Sequence, residues 1–163
     1  MSGKYKTPVT PAIRLLREKG VKFTEHLYRY EPHGGTKVSA RELAVEEHRV
    51  IKTLVMEDEQ KRPLLVLMHG DLEVSTKQLA RQMKVKMVTP CEEHTATRHT
   101  GYLFGGTSPF GTIKKLPVYM EETILALETI YINGGKRGFL VEIKPAEIVR
   151  LLEPIMVQVG VKA

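Results

Sequence analysis

Two apolar runs separated by a short polar turn constrain this chain more than any other feature. "RVIKTLVME" (Arg49–Glu57) is followed by the polar stretch Asp58–Arg62 and then by "PLLVLMHG" (Pro63–Gly70). Runs of this length, bounded by turn residues, read as two strands of a hairpin through the core. Lys52 then sits inside an otherwise apolar strand. A buried ammonium is costly unless it reaches water or an anion. Either the strand lies at a sheet edge, with Lys52 outward and Ile51 and Thr53 inward, or the lysine serves a site.

The remaining elements surround this hairpin. Thr10 caps a helix that Pro11 opens, with Ile13, Leu15 and Leu16 on its apolar side and Gly20 at its end. "VKFTEHLY" reads as a strand and "EPHGG" as a loop. Ser39 and Glu42 form an S-x-x-E capping box ahead of a short helix to about Glu47. Ser75 caps "TKQLARQMK", with Leu79, Ala80 and Met83 inward. "VKMVT" is a short strand, and "PCEEHTATRH" reads as a helix with Pro90 at its start. "KLPVYM" is a strand and "EETILAL" a helical turn or two. "TIYIN" and "FLVEI" are strands joined by a tight turn at Gly134, Gly135 and Gly138. Pro145 opens a last helix, "PAEIVRLL". Hairpins mixed with scattered helices predict an α+β fold with a mixed sheet. We expect a loose tail over residues 1–9 and a single domain over residues 10–163.

Composition bounds the partners. The chain has 163 residues and is 42% hydrophobic, enough for one sizeable core. Its longest apolar runs are too short to span a membrane. "MSGKYKTPVTP" has no apolar h-region, so a secretory signal is not expected. The single cysteine, Cys91, excludes an internal disulfide framework and fits a reducing cytoplasm. A formal charge of +6 favours anionic partners, nucleic acid first. With no Trp and four Phe, an extended base-stacking platform is not expected.

One stretch, "GYLFGGTSPFG" (Gly101–Gly111), invites several readings. As a phosphate loop it fails, because Thr112 stands where G-x-x-x-x-G-K-[ST] needs lysine. As a nucleophile elbow it fails as well. Ser108 lies in a glycine frame one residue too long for G-x-S-x-G, and Pro109 removes a backbone donor. Cys91, His94 and His99, with Glu92 and Glu93 between, match no zinc spacing. "NGGKRG" (Asn133–Gly138) is either a solvated hairpin turn or a place where Lys136 and Arg137 meet phosphates. What remains of the glycine stretch is backbone, whose N–H groups can hold an ester carbonyl without a side-chain nucleophile.

The ordered set "TPAIRLL", "IKTLV", "TGYLFGGTSPFG" and "TIYINGGKRGFLVEI" resembles the YbaK/EbsC aminoacyl-tRNA deacylases, relatives of the prolyl-tRNA synthetase editing domain. The resemblance covers about residues 8–155. It implies a mixed, largely antiparallel, β-barrel-like sheet surrounded by helices. It implies a cytoplasmic trans-editing hydrolase that releases a wrong amino acid from tRNA, typically from Cys-tRNA(Pro), without metal or other cofactor. The partners implied are the aminoacylated 3′ end of tRNA and prolyl-tRNA synthetase. Lys52 matches the family lysine, and Tyr28 matches the tyrosine of the first strand. Gly105 matches the first glycine of the loop that also holds Gly106, Thr107, Ser108 and Pro109. Lys52, Gly105 and Gly106 are therefore the expected catalytic set, with Lys136 and Arg137 on the tRNA.

The chain departs from the family pattern around the expected amino-acid pocket. It reads Tyr28-Arg-Tyr30-Glu-Pro32 where the family has Y-x-H-D-P. Asn133 precedes Gly134 where the family has serine, and Leu140 replaces an Asp or Ser. The expected chemistry needs no protein nucleophile: the substrate thiol, the ribose 2′-OH or a bound water attacks an ester that is already activated. The rival class is a module that binds aminoacyl-tRNA ends, or a synthetase, without turnover. A third reading makes Cys91 a redox residue.

Overall fold

The computed structural model describes residues 6–163. Of the expected tail, residues 1–5 lie outside the described residues, and residues 6–10 have no regular secondary structure. The central hairpin is present as β2 (Val50–Asp58) and β3 (Pro63–His69), antiparallel from Ile51 opposite His69 to Glu57 opposite Pro63. Asp58 closes its turn: its carboxylate accepts from the backbone N–H of Gln60 and Arg62 and from the Arg62 guanidinium at 2.7 Å.

The hairpin lies inside a mixed eight-stranded sheet. The strands are β1 (Thr24–Leu27), β5 (Val88–Pro90), β6 (Val118–Glu121), β7 (Ile130–Lys136), β8 (Phe139–Ile143) and β9 (Ile155–Val157), together with β2 and β3. Their order is β1-β8-β7-β2-β3-β6-β9, with β5 beside β2. β7, β2, β3, β6 and β9 include parallel neighbours (β2 with β7, β3 with β6, β6 with β9), and the other pairings are antiparallel. A separate pair joins β4 (Leu72–Val74) to β10 (Gly160–Lys162). Strands β4, β9 and β10 are too short to carry a period in the sequence.

Both faces of the sheet are covered, which explains why β3 is apolar at consecutive positions. Leu65 and Leu67 face a main core shared with α1 (Pro11–Glu18), β6, β7, β8 and α5 (Pro145–Leu152). Leu64, Val66 and Met68 face a second core with Leu79 and Ala80 of α3 (Thr76–Met83). A third cluster joins Ala40 of α2 (Gly35–Leu43) to Val50, Tyr131 and Leu140. Thr10 and Ser75 cap their helices as expected, each accepting from the backbone N–H three residues on.

One alternative is removed and two expectations need correction. Of the two readings of Lys52, the edge strand is removed, because β3 flanks one side of β2 and β7 and β5 the other. The helix expected behind Ser39 starts earlier, at Gly35. Ser39 lies inside it and donates to the Thr36 carbonyl, so the capping box is not formed. Pro90 ends β5, opposite Met56, and α4 (Glu93–Thr100) begins three residues later. There the Cys91 N–H continues the strand pairing to the Val55 carbonyl.

Leu67 is fully enclosed at the centre of the main core. Leu67→Ala should destabilise the protein by about 2–5 kcal/mol, read as a lower urea midpoint with an unchanged slope.

Candidate active site

The site face grows from strand alternation. Val50 opposes Tyr131 and Ile51 opposes Ile132 in the parallel pairing of β2 with β7. Side chains two residues apart share a face. Lys52 therefore shares a face with Val50, and Asn133 shares the same face with Tyr131. Asn133 opposes Leu140 across the β7–β8 hairpin. Tyr28 packs against the cluster of Val50, Tyr131 and Leu140, and its N–H donates to the Gly138 carbonyl at 2.9 Å. Lys52, Tyr28, Asn133 and Leu140, far apart in sequence, thus border one apolar floor.

Lys52 is half-buried on this face and makes no hydrogen bond or salt bridge to another described residue. Burial holds its ammonium below the usual lysine range, while the carboxylates of Glu73, Glu47 and Asp71 oppose that shift. The depressed value means the folded protein sheds this proton before the unfolded chain does. The charge therefore costs stability at neutral pH, and that cost is relieved as pH rises through the lysine range. Tyr28 is displaced upward by burial, so its phenol stays protonated and can donate.

Asn133 ties the glycine loop to this face. Its Oδ1 accepts from Gly135 N–H at 2.6 Å and Lys136 N–H at 3.1 Å, closing the bulge in the hairpin. Its Nδ2 donates to the Gly105 carbonyl at 3.3 Å. Leu103–Gly106 forms a turn closed by Gly106 N–H on the Leu103 carbonyl, with Gly105 at φ +87°. That sign at the third position fits a type II turn, which asks for glycine there. A Cβ on Gly106 would lie 2.8 Å from the Arg137 nitrogen, so the loop can sit directly on the hairpin backbone only as glycine. Arg137 Nε donates to the Phe104 carbonyl at 2.8 Å, and its guanidinium stands 5.4 Å from the centre of the Tyr30 ring. Tyr30 in turn lies against Gly105. A trans peptide points its N–H opposite its carbonyl. With the Phe104 carbonyl held by Arg137, the Gly105 N–H therefore points away from that guanidinium, and it has no acceptor among the described residues.

The other residues singled out in the sequence take different positions. Ser108 is fully enclosed, and its Oγ accepts from Phe110 N–H at 3.1 Å. Pro109 and Gly134 are buried beside it or in the hairpin, Thr107 is half-buried and Lys136 is exposed. Cys91, His94 and His99 do not gather. Cys91 Sγ donates to Glu57 at 3.3 Å, and His99 Nδ1 meets Lys114 Nζ at 2.9 Å. His48, His69 and Asp71 do come together, although no motif spacing marks them. Both ring nitrogens of His69 are already engaged, by the His48 carbonyl and the Thr123 hydroxyl. Tyr131 was also missed. It forms part of the floor, gripped by Arg49 over its ring at 5.1 Å and His26 edge-on at 5.3 Å.

The aminoacyl-tRNA editing domain family matches residues 31–151, a span that holds Lys52, the glycine loop and the hairpin. The chain belongs to this family. Among members and relatives, the EbsC protein of Enterococcus faecalis, provisionally named a Cys-tRNA(Pro)/Cys-tRNA(Cys) deacylase, is 30% identical over 93% of both chains. The proline–tRNA ligase of Brachyspira hyodysenteriae is 27% identical over 53% of this chain and 15% of its own length. A solved structure described provisionally as a trans-editing enzyme for prolyl-tRNA synthetase superposes with a TM-score of 0.80 at 20% identity. That superposition covers 94% of this chain and 99% of the other, and confirms the fold expected from the sequence. No helix among the described residues of this editing domain is long and apolar enough to cross a membrane.

Burial and the neighbouring Glu57 carboxylate push the Cys91 thiol up to about 12. Thiol alkylation follows the thiolate. Iodoacetamide at pH 8 should therefore modify Cys91 in the native protein at least about tenfold more slowly than free cysteine. Denaturation should remove the difference.

Proposed function

We propose that this chain is a trans-editing hydrolase that removes a small, uncharged amino acid, cysteine foremost, from mischarged tRNA(Pro). The carrying observation is the unengaged Gly105 N–H on a loop that Asn133 and Arg137 tie to the β7–β8 hairpin, whose strand β7 pairs with the strand that carries half-buried Lys52. The substrate ester carbonyl accepts from Gly105 N–H, with Gly106 fixing the loop against the hairpin. This donor strengthens its bond as negative charge grows on the oxygen. The Lys52 ammonium draws in the anionic acceptor end and stabilises the same charge. Tyr28, Tyr30 and Asn133 border the entry, and Leu140 closes the amino-acid pocket with an apolar wall. Leu140 is 4% exposed, so the departure from a polar family residue leaves the pocket without a charge at that point. Lys136 is free to meet backbone phosphate. Arg137 contributes field while its guanidinium holds the loop.

The attacking group comes from the substrate. For a cysteinyl ester, the thiol sulfur bonds to the ester carbon, the bond from carbon to the ribose oxygen breaks, and the thiol proton ends on that oxygen. The products are a thiolactone and free tRNA. For other aminoacyl groups, water directed by the ribose 2′-OH attacks instead and yields the free acid. Either route leaves Ser108 and Cys91 as parts of the scaffold. The name of EbsC agrees with the cysteinyl substrate, and the matched part of proline–tRNA ligase agrees with the choice of tRNA.

Two measurements test this reading. Release of labelled amino acid should show many turnovers on Cys-tRNA(Pro), and a stoichiometric plateau would mark a binding module. Lys52→Met should cut that rate by about a hundredfold or more, while its urea midpoint stays level or rises because a buried charge has been removed. A rate equal to wild type would remove Lys52 from the mechanism. In contrast, Ser108→Ala should keep the rate yet lose about 1–3 kcal/mol of stability, since Phe110 N–H loses its acceptor inside the core. A dead but stable Ser108→Ala variant would reinstate a serine mechanism.

A further inference from the structure

The tip of the glycine loop carries a side chain that the fold does not use. Phe104 is 55% exposed and Leu103 62% exposed, although Phe110 and Phe139 are fully buried and Phe23 packs against the main core. A mobile loop would bury or average such a ring, but this backbone is held at consecutive points. The Phe104 carbonyl is bonded to Arg137, the Gly105 carbonyl to Asn133, and the Leu103 carbonyl to Gly106 N–H. The ring is thus presented by a fixed turn, at its second position, immediately before the candidate carbonyl donor Gly105. Two exposed cations, Lys136 and Arg137, stand on the hairpin turn to which this loop is tied, Arg137 through the Phe104 carbonyl itself. Ile113, 73% exposed, extends the apolar surface beside Gly101.

We propose that Phe104 is a stacking platform for an unpaired nucleobase of the tRNA 3′ end, the base preceding the terminal adenosine. An aromatic face on a fixed turn, with cations on the adjoining hairpin turn, fits a flat base on a phosphate chain better than a purely apolar partner. Its place next to Gly105 sets the order of the contacts. The ester occupies the Gly105 donor, the terminal ribose lies near Lys52, and the next base back along the strand covers Phe104. The role is positioning: the ring touches no reacting atom and fixes where the strand enters. This inference rests on the aminoacyl-tRNA reading above.

The chain contains no Trp, so Phe104→Trp introduces a single reporter at the platform. Titration of Phe104→Trp with a CCA-ended RNA oligonucleotide should quench its fluorescence, and an abasic analogue at the penultimate position should not. With aminoacyl-tRNA, Phe104→Ala should raise KM about tenfold at nearly constant kcat, and Phe104→Tyr should restore it. Aminoacyl-adenosine lacks the preceding base, so wild type and Phe104→Ala should turn it over equally. An unquenched Trp at saturating oligonucleotide, or a Phe104→Ala KM equal to wild type, overturns the proposal. So does loss of prolyl-tRNA synthetase association in Phe104→Ala with RNA behaviour intact, which would make the tip a protein-docking element. A wild-type protein that releases no amino acid from any misacylated tRNA defeats the enzymatic reading instead, and the fluorescence titration still decides the stacking one.

Discussion

The Asn133 side chain is the clasp on which the candidate site depends. One amide uses its oxygen to close the β7–β8 bulge and its nitrogen to hold the Gly105 carbonyl. Arg137 adds a second tie from the same turn to the Phe104 carbonyl, and Gly106 lets the two backbones meet without an intervening side chain. A hairpin turn and an irregular loop separated by nearly thirty residues in sequence thereby behave as one body (|i−j| of 28 for the Asn133–Gly105 bond). The anchor of that body is the sheet itself. β7 is paired on both sides, to β2 and to β8, so the clasp is mounted on an element that cannot shift without breaking the core.

Much of this was legible in the sequence, for identifiable reasons. The hairpin of β2 and β3, the caps at Thr10 and Ser75 and the helix opened by Pro145 all announce themselves through local chemistry. The readings that failed depended on partners distant in sequence. Lys52 stood open between an edge lysine and a site lysine, because nothing nearby reveals that β7 and β5 lie alongside β2. Ser39 and Glu42 make a capping-box pattern, yet the helix starts at Gly35, where Thr36 also reaches Glu47 and the Gly70 carbonyl. Pro90 suggested a helix start, whereas its flanking residues complete a strand. Tyr131 carried no local mark at all. Its place in the floor follows from the register that sets it opposite Val50.

The same distinction separates the site residues. Gly105, Gly106 and Ser108 stood out as a group, but only the packing shows their division of labour. Ser108 supports the interior of the loop with its hydroxyl turned to Phe110, and Gly105 holds the outward-facing peptide. The electrostatic setting of Lys52 was also hidden. Its carboxylate neighbours are Glu73 of β4, Glu47 just before β2 and Asp71 between β3 and β4, and they partly oppose the effect of burial on the ammonium.

A donor built from a main-chain N–H has no side chain for a point substitution to remove. Changes at Leu140 or Tyr30 would reshape what fits the pocket, whereas the peptide at Gly105 persists as long as the turn folds and Asn133 holds it. Under the proposed function, selectivity and chemistry lie in separable parts of the chain: one in side chains that can drift, the other in a backbone conformation that cannot. On that proposed reading, such a scaffold passes from one aminoacyl group to another through substitutions in the pocket wall alone.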